Sequence, residues 1–75
     1  MKNSVIKTIG ELFDVKVSEI NLKSSFEYLE FDDLDLVELI MDLEDKLKFT
    51  ADNRTYDIKT VGELIEHIKQ LKKQV

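Results

Sequence analysis

Apolar residues recur at every third or fourth position near the start of the chain, which is the spacing of one face of an α-helix. This pattern predicts a first helix from about Ser4 to Phe13, capped by Asn3 or Ser4. The predicted core-facing positions are Val5, Ile6, Ile9, Leu12 and Phe13. Gly10 inside this helix costs up to about 1 kcal/mol relative to Ala, so we expect it to permit close packing of a neighbouring segment.

The same periodicity predicts a central helix between Phe31 and Leu47. Its core-facing positions are Leu36, Leu39, Ile40, Leu43 and Leu47, and most of its acidic residues lie elsewhere. Asp32 is suited to the N-cap and Asp35 to the third helical position, where each side chain can accept the other's backbone N–H. Asp33 falls on the first helical position, where the positive end of the helix dipole favours an anion. Phe31 either packs as a hydrophobic staple or lies exposed as a contact residue.

A long loop is predicted between these two helices. Apolar residues recur there among polar ones and indicate an extended linker that keeps contact with the core: Val15, Val17, Ile20 and Leu22. Ser18 and Glu19 are suited to one helical turn within it. Later in the loop, Phe26 is expected to plug the core.

The last third of the chain predicts a short element and a long one. Thr55 to Ile58 forms a short third helix or a turn, anchored by Tyr56 and Ile58. Thr60 and Glu63 have the T-x-x-E spacing of a capping box, and a helical stripe follows at Val61, Leu64, Ile65, Ile68 and Leu71. The whole pattern predicts an all-α single domain over residues 1–75, a small four-helix bundle of three longer helices and one short helix.

Length and composition limit the chemistry and the cellular location that we expect for this domain. The chain has 75 residues and no cysteine, which excludes a disulfide framework and a thiolate nucleophile. Its sequence has no apolar run near the roughly 18 residues of a membrane span and no signal-peptide core at the N-terminus. We therefore expect a cytoplasmic monomer that does not bind membranes.

Charge is distributed unevenly along the chain, whose net charge is -5. Nine acidic residues and no Lys or Arg lie between Glu27 and Asp45, so this segment carries -9 and the remainder +4. A nucleic-acid backbone would be repelled by such a helix, whereas proteins with Lys or Arg patches would be attracted. The alternative is that the acids only keep a surface helix soluble.

The residues available for catalysis or metal binding are few. His67 is the only histidine, and a surface or boundary role fits it better than that of a general base, because no partner nucleophile is in view. Asp52 and Glu63 have the outer spacing of a calcium loop, but Asp57 stands where that loop requires glycine. We therefore expect neither an enzyme nor a metal site.

Residues 29–47, LEFDDLDLVELIMDLEDKL, resemble the segment LGxDSLDxVELVMxLEExF of acyl carrier proteins. The flanking segments VIKTIGELFDV and TVGELIEHI also match that family in place and length. In the family, the serine of the DSL motif receives the 4′-phosphopantetheine arm, and Asp33 stands at that position here. Glu30 replaces the glycine that the family has just upstream.

The resemblance also implies which residues contact partners. In acyl carrier proteins, partner enzymes bind the helix after the modified serine through basic residues. The positions implied for partner binding here are Asp32, Leu34, Asp35, Glu38, Met41, Glu44 and Asp45. No cofactor is expected on Asp33, because a carboxylate cannot form the phosphodiester, and no other serine has the D-S-L context.

Three hypotheses for function follow from the sequence. The first is an acyl-carrier-protein-like domain without an arm that binds basic surfaces of partners, such as enzymes of fatty-acid or polyketide synthesis. The second is a genuine acyl carrier protein of fatty-acid or related synthesis in which Asp33 has replaced the acceptor serine. The third is a bundle that holds a fatty acid without covalent attachment.

Overall fold

The computed structural model describes residues 2–73 and contains three α-helices in this part of the chain. They are α1 (Lys2–Phe13), α2 (Asp33–Leu47) and α3 (Val61–Lys73), with 3-10 helices at Val17–Glu19 and Asn53–Asp57. Between residues 2 and 73 no strand is present, and Ser25 and Thr60 form an isolated β-bridge. The all-α class is confirmed. The count of four helices is not, because the short predicted helix is a 3-10 helix.

The hydrophobic core lies among the three helices and includes the loop between α1 and α2. Its buried members are Val5, Ile6, Ile9, Ile20, Phe26, Leu39, Leu43, Val61, Leu64, Ile65 and Ile68. Each helix therefore buries most of the apolar stripe that its sequence pattern indicates. Burial of this area provides the main driving force for folding. Phe26 is 5% exposed, as expected for a residue that plugs the core.

Two details of α1 differ from the sequence prediction. The helix begins at Lys2, two residues before the predicted start, so Ser4 lies inside it and its carbonyl accepts a 2.7 Å hydrogen bond from the Thr8 hydroxyl. Leu12 is 38% exposed, because the last turn of α1 uses Phe13 for the contact with the interior, where its ring lies 4.3 Å from that of Phe31.

The linker after α1 folds back against the C-terminal part of that helix. A Cβ atom added at Gly10 would lie 2.9 Å from the carbonyl oxygen of Val15, so a side chain there would force the linker away. The predicted role of Gly10 in close packing is thus confirmed. Ile20 is buried, as predicted, but Val17 is 53% exposed because the 3-10 helix that begins there turns it outward.

Backbone hydrogen bonds join the loop before α2 to the start of α3. The N–H of Phe26 donates to the Lys59 carbonyl at 2.9 Å, and that of Val61 donates to the Ser24 carbonyl at 3.0 Å. Leu22, predicted to touch the core, is 42% exposed because its backbone takes this role instead, accepting the N–H of Gly62 at 2.9 Å. These contacts fix where the chain enters α2 and α3.

Glu30, just before α2, has a left-handed backbone conformation with φ 63°. This conformation costs a residue with a Cβ atom about 1 kcal/mol and costs glycine little. We therefore expect Glu30→Gly to raise the free energy of unfolding by about 0.5 to 1 kcal/mol in urea denaturation. Glu27→Gly is the matched control, since Glu27 is exposed and has no positive φ. Equal changes in the free energy of unfolding of the two variants would contradict the view that the left-handed conformation of Glu30 costs stability.

Candidate functional site

The start of α2 is fixed by a reciprocal pair of side chains. The Asp35 N–H donates to the Asp32 carboxylate at 2.8 Å, and the Asp32 N–H donates to the Asp35 carboxylate at 3.1 Å. The capping box predicted from the sequence is therefore confirmed. Phe31, which precedes the cap, is half-buried, and its ring stacks 5.7 Å from that of Phe26. Of the two alternatives for Phe31, the packed one is observed.

Asp33 lies on the first turn of α2 and is exposed to solvent. It borders a cleft of about 490 Å3 between the loop before α2, the start of α2 and the chain around the second 3-10 helix. The cleft is lined by apolar residues Phe26, Phe31, Leu36 and Ile58 and by polar residues that include Ser25, Glu27, Asp32, Asp57 and Lys59. The residue at the start of α2 is thus reachable from solvent and from this cleft.

The solvent-facing side of α2 combines apolar and acidic residues. Leu34 is 77% exposed, Met41 61% and Val37 36%, and their spacing of three and four residues puts them on one helix face. Glu38 and Asp45 are exposed on the same face. We call these five residues the outer face of α2. Val37 was not among the predicted partner-binding residues, although its spacing of three positions from Leu34 places it on the same helix face.

Other acidic residues of α2 have partners within the chain. The Glu44 carboxylate accepts the N–H of Ala51 at 2.8 Å, and Asp42 forms an ion pair with Lys46 at 3.2 Å. Asp32 and Asp35 are engaged in the capping box. Thus Asp32, Asp35 and Glu44, predicted as partner-binding residues, each support local structure. Within residues 2–73, no hydrogen bond or ion pair engages the carboxylates of Glu38 and Asp45.

A second polar cluster joins the 3-10 helix Asn53–Asp57 to α3. The Thr55 hydroxyl is 2.7 Å from Nε2 of His67, and this nitrogen is 3.2 Å from Oδ1 of Asp52. Thr55 is fully buried, whereas Tyr56, predicted as an anchor of this segment, is 43% exposed. Thr55 replaces Tyr56 as the anchor because the 3-10 geometry turns the threonine inward, next to hydrogen-bond partners. Ile58, the other predicted anchor, is half-buried against the core.

The charge of Asp52 is stabilised by this cluster. Partial burial acts to raise the pKa of Asp52. Hydrogen bonds from the Arg54 N–H and Thr55, together with electrostatic interactions with His67 and Arg54, outweigh this effect, so the pKa lies below its ordinary value. Asp52 also caps the 3-10 helix, accepting the Arg54 N–H at 3.0 Å. Its carboxylate thus supports local structure. Among the described residues, no cluster of three or more potential metal ligands occurs.

His67 lies at the boundary between the core and solvent, with 13% of its side chain exposed. The nearest hydroxyl, that of Thr55, is closed off from solvent and cannot meet a substrate. In the part of the chain that the structure covers, no helix has the length and apolar character needed to cross a membrane.

The candidate functional site is the outer face of α2, with Asp33 at its beginning, because exposed apolar side chains and carboxylates lie together there.

This chain is similar to known proteins over most of its length. Residues 3–68 match the family model described as the phosphopantetheine attachment site. An acyl carrier protein of Chlamydia caviae is 42% identical over 71 residues, which span 92% of both chains. An acyl carrier protein of Exiguobacterium sibiricum is 40% identical over 67 residues, which span 87% of this chain and 85% of that one.

The fold is also similar to a solved structure. The crystal structure of an acyl carrier protein from Thermotoga maritima matches with a TM-score of 0.82, covering 96% of this chain and 86% of that chain at 19% sequence identity. At this identity the match concerns the fold alone.

Proposed function

The chain belongs to the phosphopantetheine attachment family that includes the acyl carrier proteins, and on this basis we propose that it is an acidic protein-binding module for partners with Lys or Arg patches. The observation that carries the proposal is the outer face of α2, where exposed Leu34, Val37 and Met41 lie beside the carboxylates of Glu38 and Asp45. Acyl carrier proteins are carriers and not enzymes, and the proposed activity is binding.

The side chain of Asp33 does not fit the 4′-phosphopantetheine arm of the family. Attachment requires a hydroxyl oxygen that attacks a phosphate of coenzyme A and leaves a stable phosphodiester. A carboxylate is a poor nucleophile, and the acyl phosphate it would form is cleaved by water. Asp33 instead adds an exposed negative charge at the N-terminal end of α2, worth about 0.3 to 1 kcal/mol of helix stability.

Nearby serines do not replace the missing hydroxyl. Ser25 lines the cleft, but its Oγ accepts the N–H of Tyr28 at 2.9 Å and its backbone pairs with Thr60. Ser24 is buried, and its Oγ accepts the N–H of Asn21 at 3.1 Å. Both hydroxyls support the loop before α2. We therefore propose that the domain works without a covalent arm.

The outer face of α2 has the two components that a protein-binding surface needs. Its apolar side chains can be desolvated by a partner and supply most of the binding free energy. Its carboxylates attract basic residues, which speeds the encounter and favours partners of opposite charge. Because Glu38 and Asp45 have no internal partner within residues 2–73, they can pair with Lys or Arg without breaking the fold.

We expect Glu38→Lys to weaken binding to a phosphopantetheinyl transferase by about tenfold, because it places a positive charge at the centre of the outer face. A transferase is a suitable partner because it must contact a carrier domain beside the residue that it modifies. In this chain that residue corresponds to position 33. Affinity is measured by titration calorimetry without coenzyme A, at low and high salt. Binding by the wild-type chain should weaken as salt rises, because the attraction between exposed charges is screened.

Glu11→Lys is the matched control for this experiment. Glu11 is exposed on α1, and its replacement changes the net charge by the same amount as the change at Glu38. We expect it to leave the affinity within about twofold of the wild-type value. Absence of binding by the wild-type chain, or equal losses in both variants, would overturn the proposed function.

A second function is favoured by the relatives. The matching proteins from Chlamydia caviae and Exiguobacterium sibiricum are named acyl carrier proteins, and the similarity covers nearly the whole chain. The alternative is therefore a genuine acyl carrier protein of fatty-acid or related synthesis in which Asp33 has replaced the acceptor serine. Restoring the hydroxyl at position 33 tests the scaffold directly.

A further inference from the structure

The cleft beside Asp33 has an apolar lining made by four side chains. They are Phe26, Phe31, Leu36 and Ile58. Three of them, Phe31, Leu36 and Ile58, are only half-buried, so part of their apolar surface remains in contact with water. A volume of about 490 Å3 is enough for one long side chain or a small organic molecule. An occupant that covers this lining removes apolar surface from water, which favours its binding.

The charged residues of the cleft are mostly acidic. Glu27, Asp32, Asp33 and Asp57 line it together with one basic residue, Lys59, so its formal charge is -3. Asp32 is engaged in the capping box of α2. Between residues 2 and 73, no ion pair involves Glu27, Asp33 or Asp57, and all three are exposed. Their carboxylates can therefore pair with a positive group without breaking an ion pair of the fold.

These charges decide which kind of occupant fits the cleft. A fatty acid gains from the apolar lining, but its carboxylate meets several others of the same sign. A metal ion gains from the carboxylates, but no group of three or more possible ligands within residues 2–73 is arranged to hold one. An organic cation on an apolar stem matches both the lining and the charge of the cleft.

Among such cations, the arginine side chain matches the cleft best. Its methylene stem can cover apolar surface while the guanidinium group stays beside the carboxylates. The guanidinium group has five N–H donors in one plane, so it can bond to more than one carboxylate at a time. It also packs favourably on the face of an aromatic ring, and Phe31 provides a ring in the same cleft as Asp33.

The position of the cleft favours a protein as the source of this arginine. Asp33 and Leu36 line the cleft, and Leu34, which lies between them in the sequence, is 77% exposed on the outer face of α2. A partner that covers the outer face is therefore next to the cleft and can place one side chain in it. Arginine is among the residues that most often dominate protein interfaces, where they commonly fill pockets.

We propose that the cleft beside Asp33 is a socket for one arginine side chain of a protein partner that docks on the outer face of α2. The guanidinium group pairs with Asp33 and Asp57, and the stem packs against the apolar lining. Asp33 belongs to α2 and Asp57 to the second 3-10 helix, so the two carboxylates come from different segments. The inference rests on the proposed function, which supplies the partner, and it names the partner residue that enters the cleft.

Titration of the full-length chain with N-acetyl-arginine amide tests the socket. The blocked ends of this probe imitate an arginine within a protein. We expect NMR shifts of the amides that line the cleft, with a Kd of about 1 to 10 mM, because a probe of this size makes few contacts. N-acetyl-citrulline amide has nearly the same shape without the charge. It should bind about fivefold more weakly, the loss expected for one exposed ion pair.

Two variants locate the charge that the probe contacts. We expect Asp33→Asn and Asp57→Asn each to weaken binding of the arginine probe by about two- to fivefold and to leave binding of the citrulline probe unchanged. Glu11→Gln is the matched control, since it removes one exposed carboxylate from α1, outside the cleft. It should leave the affinity for both probes unchanged.

Equal affinity for the two probes would overturn the proposal, and so would shifts confined to the outer face of α2 or the absence of any shift. Binding of free arginine more than tenfold tighter than the blocked probe would assign the cleft to a small molecule and would also overturn it. The titration contains no transferase, so its failure is seen separately from a failure of the proposed function. A chain that binds the transferase but not the probe keeps the proposed function and has no socket.

Discussion

Asp33→Ser is expected to accept one 4′-phosphopantetheine arm from coenzyme A in the presence of a phosphopantetheinyl transferase, whereas the wild-type chain stays unmodified. The substitution supplies the hydroxyl nucleophile at an exposed position on the first turn of α2, followed by the outer face that the transferase must contact. Intact-mass spectrometry measures the result as a gain of one arm. The expected change runs from no modification to near-complete modification.

Leu34→Ser is the control for this experiment. Leu34 is 77% exposed and lies one residue further along the same turn, so the variant offers a hydroxyl that points in a different direction. We expect no arm on it. An arm on the wild-type chain would contradict the proposal that Asp33 is not an acceptor. Its absence from Asp33→Ser would contradict the equivalence of position 33 to the serine of the family.

The second large effect is expected in the core. Leu39→Ala removes a fully buried side chain of α2, and we expect it to lower the free energy of unfolding by about 2 to 5 kcal/mol. Small domains are stable by only about 5 to 15 kcal/mol, and one of this size is expected near the lower end. The variant should therefore lose a large part of its stability. Urea denaturation followed by circular dichroism measures this as a lower midpoint with an unchanged slope.

Leu34→Ala makes the same substitution on the outer face of α2. Because Leu34 is 77% exposed, we expect its loss to change the free energy of unfolding by less than about 0.5 kcal/mol. The two leucines thus test the division of α2 into a core side and an outer face. Similar losses of stability in both variants would contradict that division.

The parts of the fold that depend on local sequence were predicted well. The capping box of Asp32 and Asp35 is confirmed because both partners lie within one turn of helix. The buried positions Leu39, Ile40 and Leu43 are confirmed because helical periodicity assigns them to one face. The family was likewise identifiable from sequence, since the residues that follow Asp33 match in order and spacing.

Other features depend on neighbours far along the chain and were not predicted. Thr55 is the anchor of the 3-10 helix Asn53–Asp57 because His67, twelve positions later, provides its hydrogen-bond partner. The hydrogen bond from the Ala51 N–H to the Glu44 carboxylate is formed by the turn after α2, and the contact of Glu44 with partners stays a prediction. Leu22 is 42% exposed, and its backbone carbonyl accepts the N–H of Gly62 at the start of α3, forty positions later.

The sequence alone determined the existence of the three long helices, the charge of α2 and the absence of a hydroxyl at position 33, because each follows from residue types and from spacings within one helix. The tertiary structure decided which acidic side chains have partners within the chain, which serine hydroxyls accept hydrogen bonds and which segments line the cleft beside Asp33. Those outcomes depend on hydrogen bonds between segments that only the folded chain brings together.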